Sequence, residues 1–322
     1  MNLIKGFSFF GLCFSFIVIA LGAWTRLVDA GLGCPDWPGC YGFVVFPTSE
    51  VDIALAEQRY PNFPYEINKV IPEVIHRYFA ATLGLISILL VTFSLKNKLP
   101  SQIKYIALFL LFFICCQGLF GYLTVSLKLL PLIVTIHLFG GFITLSLFFY
   151  LFLISSNGIQ DYKIGHLKSL AFIALVALLV QIFLGAWTST NYASLACTDF
   201  PTCKGSFFPK MNFVEAFNLF QEVGPNYLYG LIDNDARVTI HYSHRLGALI
   251  LSLIYLALIA RLWFSNAAPL ASTLGVILLT QISLGVMNVV YALPLYIAIG
   301  HNLVAALLLL VTLMVNFIAW KE

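Results

Sequence analysis

Gly22-Ala23-Trp24-Thr25 ends the first apolar run of this 322-residue chain, and Gly185-Ala186-Trp187-Thr188 repeats it 163 positions later. The echo continues outward from these two tetrapeptides. Cys34 and Cys40 return at the same shift as Cys197 and Cys203, and His76-Arg77 returns as His244-Arg245 after a slightly longer loop. Gln117-Gly118 returns as Gln281-Ile282. Each glutamine lies twenty residues before a second histidine, His137 or His301, with Leu130-Pro131 or Leu293-Pro294 between them. A repeat of this length in an apolar chain reads as two duplicated membrane bundles rather than a solenoid of short units.

The chain is 61% apolar and 10% charged, too few polar residues to clothe a soluble globule. Runs long enough to cross a bilayer, roughly 20 residues each, lie near 4–25, 73–95, 103–124, 130–154, 167–189, 238–262, 268–290 and 295–319. The expected fold is therefore an all-α integral membrane protein. Its eight transmembrane helices form two pseudo-symmetric four-helix bundles, residues 1–158 and 159–322. The first run contains the start of the repeat, so it reads as a retained helix rather than a cleaved signal.

Cationic connections resist translocation, and Lys5, Lys96, Lys98, Lys104, Lys163, Lys168, Arg261 and Lys321 all fall on one side of this topology. The other side holds two long loops, about 26–72 and 190–237, rich in Asp and Glu. Both termini are expected in the cytoplasm of a cell (inner) membrane protein, with the long loops external or periplasmic. The net charge of +3 is spread along the cytoplasmic edge and marks topology rather than a nucleic-acid partner.

Cys13, Cys115 and Cys116 lie inside apolar runs, where free cysteine behaves as a small hydrophobe. The other four cysteines occupy the external loops, where disulfides persist. Cys34-Pro-Asp-Trp-Pro-Gly-Cys40 and Cys197-Thr-Asp-Phe-Pro-Thr-Cys203 each make a short loop that a disulfide can close, and no further ligand cluster accompanies either pair.

His76, His137, His244 and His301 each fall within the first turns of an even-numbered span, at a similar shallow depth below the outer surface. A histidine in a membrane helix usually faces the bundle interior, because a lipid-facing imidazole is costly. One alone reads as a core histidine; four in a duplicated pattern point to axial ligation of heme iron between helices of a bundle. Zinc would want four ligands at one point. A proton relay would want buried carboxylates, and a quinone-linked disulfide enzyme leaves the histidines unexplained. Arg77 and Arg245 follow the first histidine of each half, where a guanidinium can pair with heme propionates or snorkel to the interface. Glu73 shares a helical face with His76, and its counterpart in the second half is His241. That asymmetry points to chemistry in the first half and electron transfer in the second; the bland reading is a carboxylate on a helix dipole.

With these motifs in hand, the chain closely resembles the heme A synthase family, the CtaA and Cox15 proteins, over nearly its whole length. The resemblance rests on Cys34-Pro-Asp-Trp-Pro-Gly-Cys40, Glu73-Val-Ile-His76-Arg77, Gln117-Gly-Leu-Phe-Gly-Tyr-Leu-Thr-Val125, Leu130-Pro131 and His137. The second half adds His244-Arg245-Leu246-Gly247-Ala248, Gln281 and His301. It implies oxidation of the C8 methyl group of heme O to a formyl group by successive hydroxylations, giving heme A for cytochrome oxidase assembly. It also implies His76 and His137 as the substrate pair with Glu73 as a catalytic carboxylate, and His244 and His301 as axial ligands of a resident heme b. Cys34 with Cys40 is implied as a redox-sensitive or structural pair, and Cys197 with Cys203 as a stabilising disulfide. Implied partners are heme O, membrane lipid, a heme O synthase and an electron acceptor of unassigned type, with room for a homo-oligomer. Two other classes fit the same histidines: a non-catalytic diheme b-type electron carrier, and a heme-handling chaperone.

Overall fold

The computed structural model describes residues 2–97, 99–156 and 162–321. Lys98 and the expected boundary between residues 158 and 159 lie outside the described residues. The described residues form helices and no strand apart from two isolated bridges. In chain order the helices are α1 (Asn2–Leu27), α2 (Glu50–Arg59), α3 (Ile67–Lys96), α4 (Ser101–Ser126) and α5 (Pro131–Ser155), then α6 (Lys168–Thr190), α7 (Phe213–Ala216), α8 (Asn234–Phe264), α9 (Ala268–Val290) and α10 (Leu295–Lys321). Eight of them, all but α2 and α7, are long and apolar enough to cross a membrane. The chain is a multi-pass membrane protein. In lipid every main-chain N–H and C=O needs a partner within the segment, which is why these apolar runs are helical despite many β-branched and aromatic residues.

Two helices begin earlier than their apolar runs, α3 at Ile67 and α8 at Asn234. Their first turns, Ile67-Asn68-Lys69 and Asn234-Asp235-Ala236-Arg237, carry polar residues, so the helix continues beyond the stretch that hydropathy marks. The long loop of the first half carries a helix of its own, α2, which the apolar runs do not mark. Ser49 caps α2 by accepting from the Asp52 N–H at 3.1 Å.

The chain divides into two compact units. In the first, α1 packs on α3 and α5, α3 on α4, and α4 on α5, closing a ring of four helices. This unit also takes in residues 221–228 from the second long connection. There the N–H of Tyr227 donates to the Lys128 carbonyl at 3.0 Å, and the Tyr227 ring is buried against Leu129 and Leu130. In the second unit, α6 packs on α8 and α10, α8 on α9, and α9 on α10, which closes a ring in the same order.

Turn geometry is repeated between the halves as closely as the sequence. Lys128 and Leu129 before α5 both have positive φ, as do Ala292 and Leu293 before α10. The N–H of Leu129 reaches the Thr124 carbonyl at 2.8 Å, and that of Leu293 reaches Asn288 at 2.7 Å, satisfying groups that the helix ends leave open. Pro131 then opens α5, where a missing N–H costs nothing. Cys13 and Cys115 are exposed and Cys116 is half-buried, so these thiols lie on outer helix faces instead of in the packed interior.

Candidate functional site

In the first unit, the ring order puts α3 and α5 diagonally across the bundle, α1 and α4 lying between them. His76 on α3 and His137 on α5 bring their rings to 6.4 Å between centres, with planes at 87°. Both side chains are half-buried, yet Nδ1 of each is fully enclosed and has no hydrogen-bond partner. In the second unit His244 on α8 and His301 on α10 lie on the corresponding diagonal of the ring. Nε2 of Gln181 lies 3.0 Å from Nδ1 of His244 and donates to the His244 carbonyl at 2.9 Å; Nε2 of Gln281 lies 3.3 Å from Nε2 of His301. Gln117 instead packs against Gly140, one turn beyond His137.

The spacing of the first pair fits one metal held between two imidazoles. A metal–nitrogen bond of about 2 Å plus roughly 1 Å from nitrogen to ring centre, taken on both sides, gives about 6 Å between rings. Among the described residues no group of three or more His, Cys, Asp or Glu converges. The donor sets are thus imidazole pairs between helices, the arrangement that heme iron takes.

Both loop disulfides are formed, Cys34–Cys40 and Cys197–Cys203, with Cα atoms 4.9 and 4.7 Å apart. Each closes a knot around an aspartate. Asp36 accepts from the N–H groups of Tyr41 at 2.6 Å and Gly42 at 2.8 Å; Asp199 accepts from Lys204 at 2.6 Å and Gly205 at 2.9 Å. The Thr202 hydroxyl and these N–H groups hold the Asp199 carboxyl down at about 2. The replacement of Pro35-Asp36-Trp37 by Thr198-Asp199-Phe200 leaves this backbone pattern intact. In the first loop Trp37 reaches Tyr122, next to Gly121 on α4, with an edge-on ring contact at 6.0 Å.

The charged residues beside the histidine pairs bond to these loops. Arg77 Nη1 donates to the carbonyls of Asp36 at 2.8 Å and Gly39 at 2.6 Å, and Nη2 to Glu73 Oε1 at 2.5 Å. Arg245 donates to the carbonyls of Asp199, Thr202 and Cys197 at 2.8–2.9 Å. Glu73 is 4% exposed, and its second oxygen accepts the Cys34 N–H at 2.9 Å. His241 stands in the same place: its Nδ1 accepts from the Cys197 N–H at 3.3 Å, and Arg245 Nε contacts its Nε2 at 3.3 Å. Glu73 and His241 thus hold equivalent loops through the same main-chain N–H, that of the first loop cysteine. The loop-anchoring role of His241 was not apparent from its type; its place three residues before His244 was the available signal. The same holds for Gln181, which precedes Gly185 by one helical turn.

These features define a membrane protein whose two helical bundles each hold an imidazole pair below an arginine-clamped disulfide loop. The profile of COX15-CtaA, described as cytochrome oxidase assembly protein, matches residues 5–313. The chain belongs to this family. Among its relatives, a protein of Shewanella oneidensis named heme A synthase is 43% identical over 315 residues, covering 97% of this chain and 95% of its own. Proteins of the same name are 32% identical in Rickettsia bellii, over 92% of both chains, and 27% identical in Methylobacterium radiotolerans, over 89% of this chain and 82% of that one.

Proposed function

We propose that this chain is a heme A synthase, an enzyme that takes heme O as substrate and oxidises its C8 methyl group to a formyl group. The observation that carries the reading is the 6.4 Å spacing of the His76 and His137 rings, in a chain 43% identical to a protein of that name. His76 and His137 hold the substrate in the first unit, and His244 with His301 hold a resident heme b in the second. Converting a methyl to a formyl group removes four electrons from a carbon that side-chain acid–base chemistry cannot activate, and redox iron supplies that capacity when bound. His76 on α3 and His137 on α5 would hold the substrate between them, beside the loop of Cys34 and Cys40 that Glu73 and Arg77 anchor to α3. The lipid-facing helix surfaces let an apolar tail on the substrate remain in the bilayer.

Glu73 lies at the substrate pair, and its first role is to anchor that loop. Proton handling there would require release of Arg77 or the Cys34 N–H, both bonded to it. Because His241 does the same work in the second unit, Glu73 does not by itself separate an enzyme from an electron carrier; the named relatives favour the enzyme. Eight crossings put both termini on one side, and the lysine-rich connections assign that side to the cytoplasm.

The test is the extracted heme profile of cells that make heme O, with and without this protein. New heme A that disappears in His76→Ala is expected. Unchanged heme O alongside a bound heme b spectrum, where a known synthase works, would establish the carrier instead.

A further inference from the structure

The tetrapeptide repeat Gly22-Ala-Trp-Thr and Gly185-Ala-Trp-Thr has a use in the bundles that the proposed reaction does not absorb. Each of the four paired histidines lies against a glycine on the neighbouring helix. His76 of α3 faces Gly22 of α1, His137 of α5 faces Gly121 of α4, His244 of α8 faces Gly185 of α6, and His301 of α10 faces Gly285 of α9. In every case the nearest ring atom is Cε1. A Cβ at Gly22 would come within 2.9 Å of it, at Gly185 and Gly285 within 3.1 Å, and at Gly121 within 3.5 Å. The first would force the ring to shift, the next two are tighter than most real contacts and would push the ring by a few tenths of an ångström, and the last is a normal contact.

Cε1 lies between the two ring nitrogens, so a helix pressed on that atom sets the direction of both. One turn earlier on these helices, four residues before each glycine, stand Val18, Gln117, Gln181 and Gln281. For His244 the same place, four residues before Gly185, is taken by the Gln181 amide, 3.0 Å from Nδ1. At Gly185 a bare Cα thus meets Cε1 while the Gln181 amide lies toward Nδ1 of His244; at Gly285 the bare Cα meets Cε1 while the Gln281 amide lies 3.3 Å from Nε2 of His301. Such a seat fixes the direction of the imidazole before any ligand arrives, as metal-binding histidines are held by the groups around them.

We propose that Gly22, Gly185 and Gly285 are positioning residues for His76, His244 and His301, and that a side chain at any of them displaces the imidazole. The ligand role of the rings rests on the reading above; the seating does not, so the two are tested separately. The first test is a double-mutant cycle on the purified full chain, read by thermal unfolding. Gly285→Ala is expected to lower the melting temperature, and this loss should vanish when His301→Ala removes the ring it strikes. Gly185→Ala paired with His244→Ala should behave alike. An equal loss with and without the histidine would overturn the seating.

The second test reads the bound heme b of the same proteins. Gly185→Ala and Gly285→Ala should shift its reduction potential and low-spin spectrum, whereas Gly275→Ala, on the same helix as Gly285 with nothing within 4 Å, should not. Unchanged potential and spectrum in both seat variants would overturn the proposal. Retention of the wild-type heme spectrum by His244→Ala and His301→Ala, with the stability cycle behaving as expected, would instead overturn only the ligand reading.

Discussion

Oε2 of Glu73 accepts the main-chain N–H of Cys34 at 2.9 Å, a bond that spans 39 positions of sequence and joins α3 to the first disulfide loop. With Arg77 on its other oxygen, this carboxylate links three things: the helix of His76, the loop above it, and the guanidinium that gathers the loop carbonyls. Removing one member of such a buried pair typically costs about 3–5 kcal/mol, because the other is left uncompensated.

Glu73→Gln keeps an oxygen for Cys34 but offers Arg77 no charge. We expect Cys34–Cys40 to be reduced faster by a phosphine, measured by alkylation and mass spectrometry, with Cys197–Cys203 unaffected and the heme b spectrum retained. Heme A formation should fall, and Glu73→Ala should abolish it. Normal heme A from Glu73→Ala would show that neither the anchor nor a proton at this position matters to the reaction.

His241 occupies the matching place, and its two contacts are to an N–H of Cys197 and to Arg245. A carboxylate could accept both. His241→Glu should therefore keep the second loop closed, with the wild-type reduction rate of Cys197–Cys203, while His241→Leu should raise that rate. Equal rates in the two variants would refute the equivalence of Glu73 and His241.

On the proposed function, the two histidine pairs should be separable by spectrum. His244→Ala or His301→Ala should strip resident heme b from the purified protein. His76→Ala and His137→Ala should leave heme b in place and abolish heme A. Loss of heme b from the first-half variants alone would reverse the assignment of the two bundles.

Asp199 provides a pH dependence confined to the second loop. Its folded value of about 2 lies below the ordinary 3.8, so the ionised carboxylate favours the folded loop fully above that ordinary value. Its contribution is lost as pH falls from there through 2. The ratio of phosphine reduction rates of Cys197–Cys203 in Asp199→Asn and wild type should exceed one above pH 4, and approach one toward pH 2. A ratio independent of pH would show that the carboxylate charge is not what holds the loop.

The sequence by itself determined the eight apolar spans, the duplication, and both disulfides, because span length, repeat spacing and a five-residue gap between cysteines are local quantities. It also brought the four histidines to notice, since an imidazole in an apolar helix is rare enough to stand out. Only tertiary structure decided which partner each polar group takes. Arg77 and Arg245 read from position as propionate partners or snorkelling cations, and the structure adds bonds to the carbonyls of loops folded back from 38 to 48 residues away. Glu73 and His241 look chemically different, yet both accept the N–H of a loop cysteine, because that donor's direction is set by the loop and not by the helix. The glycines beside the rings were legible as a repeated Gly-Ala-Trp-Thr but not as seats, since a missing side chain acquires meaning only from what the neighbouring helix puts against it.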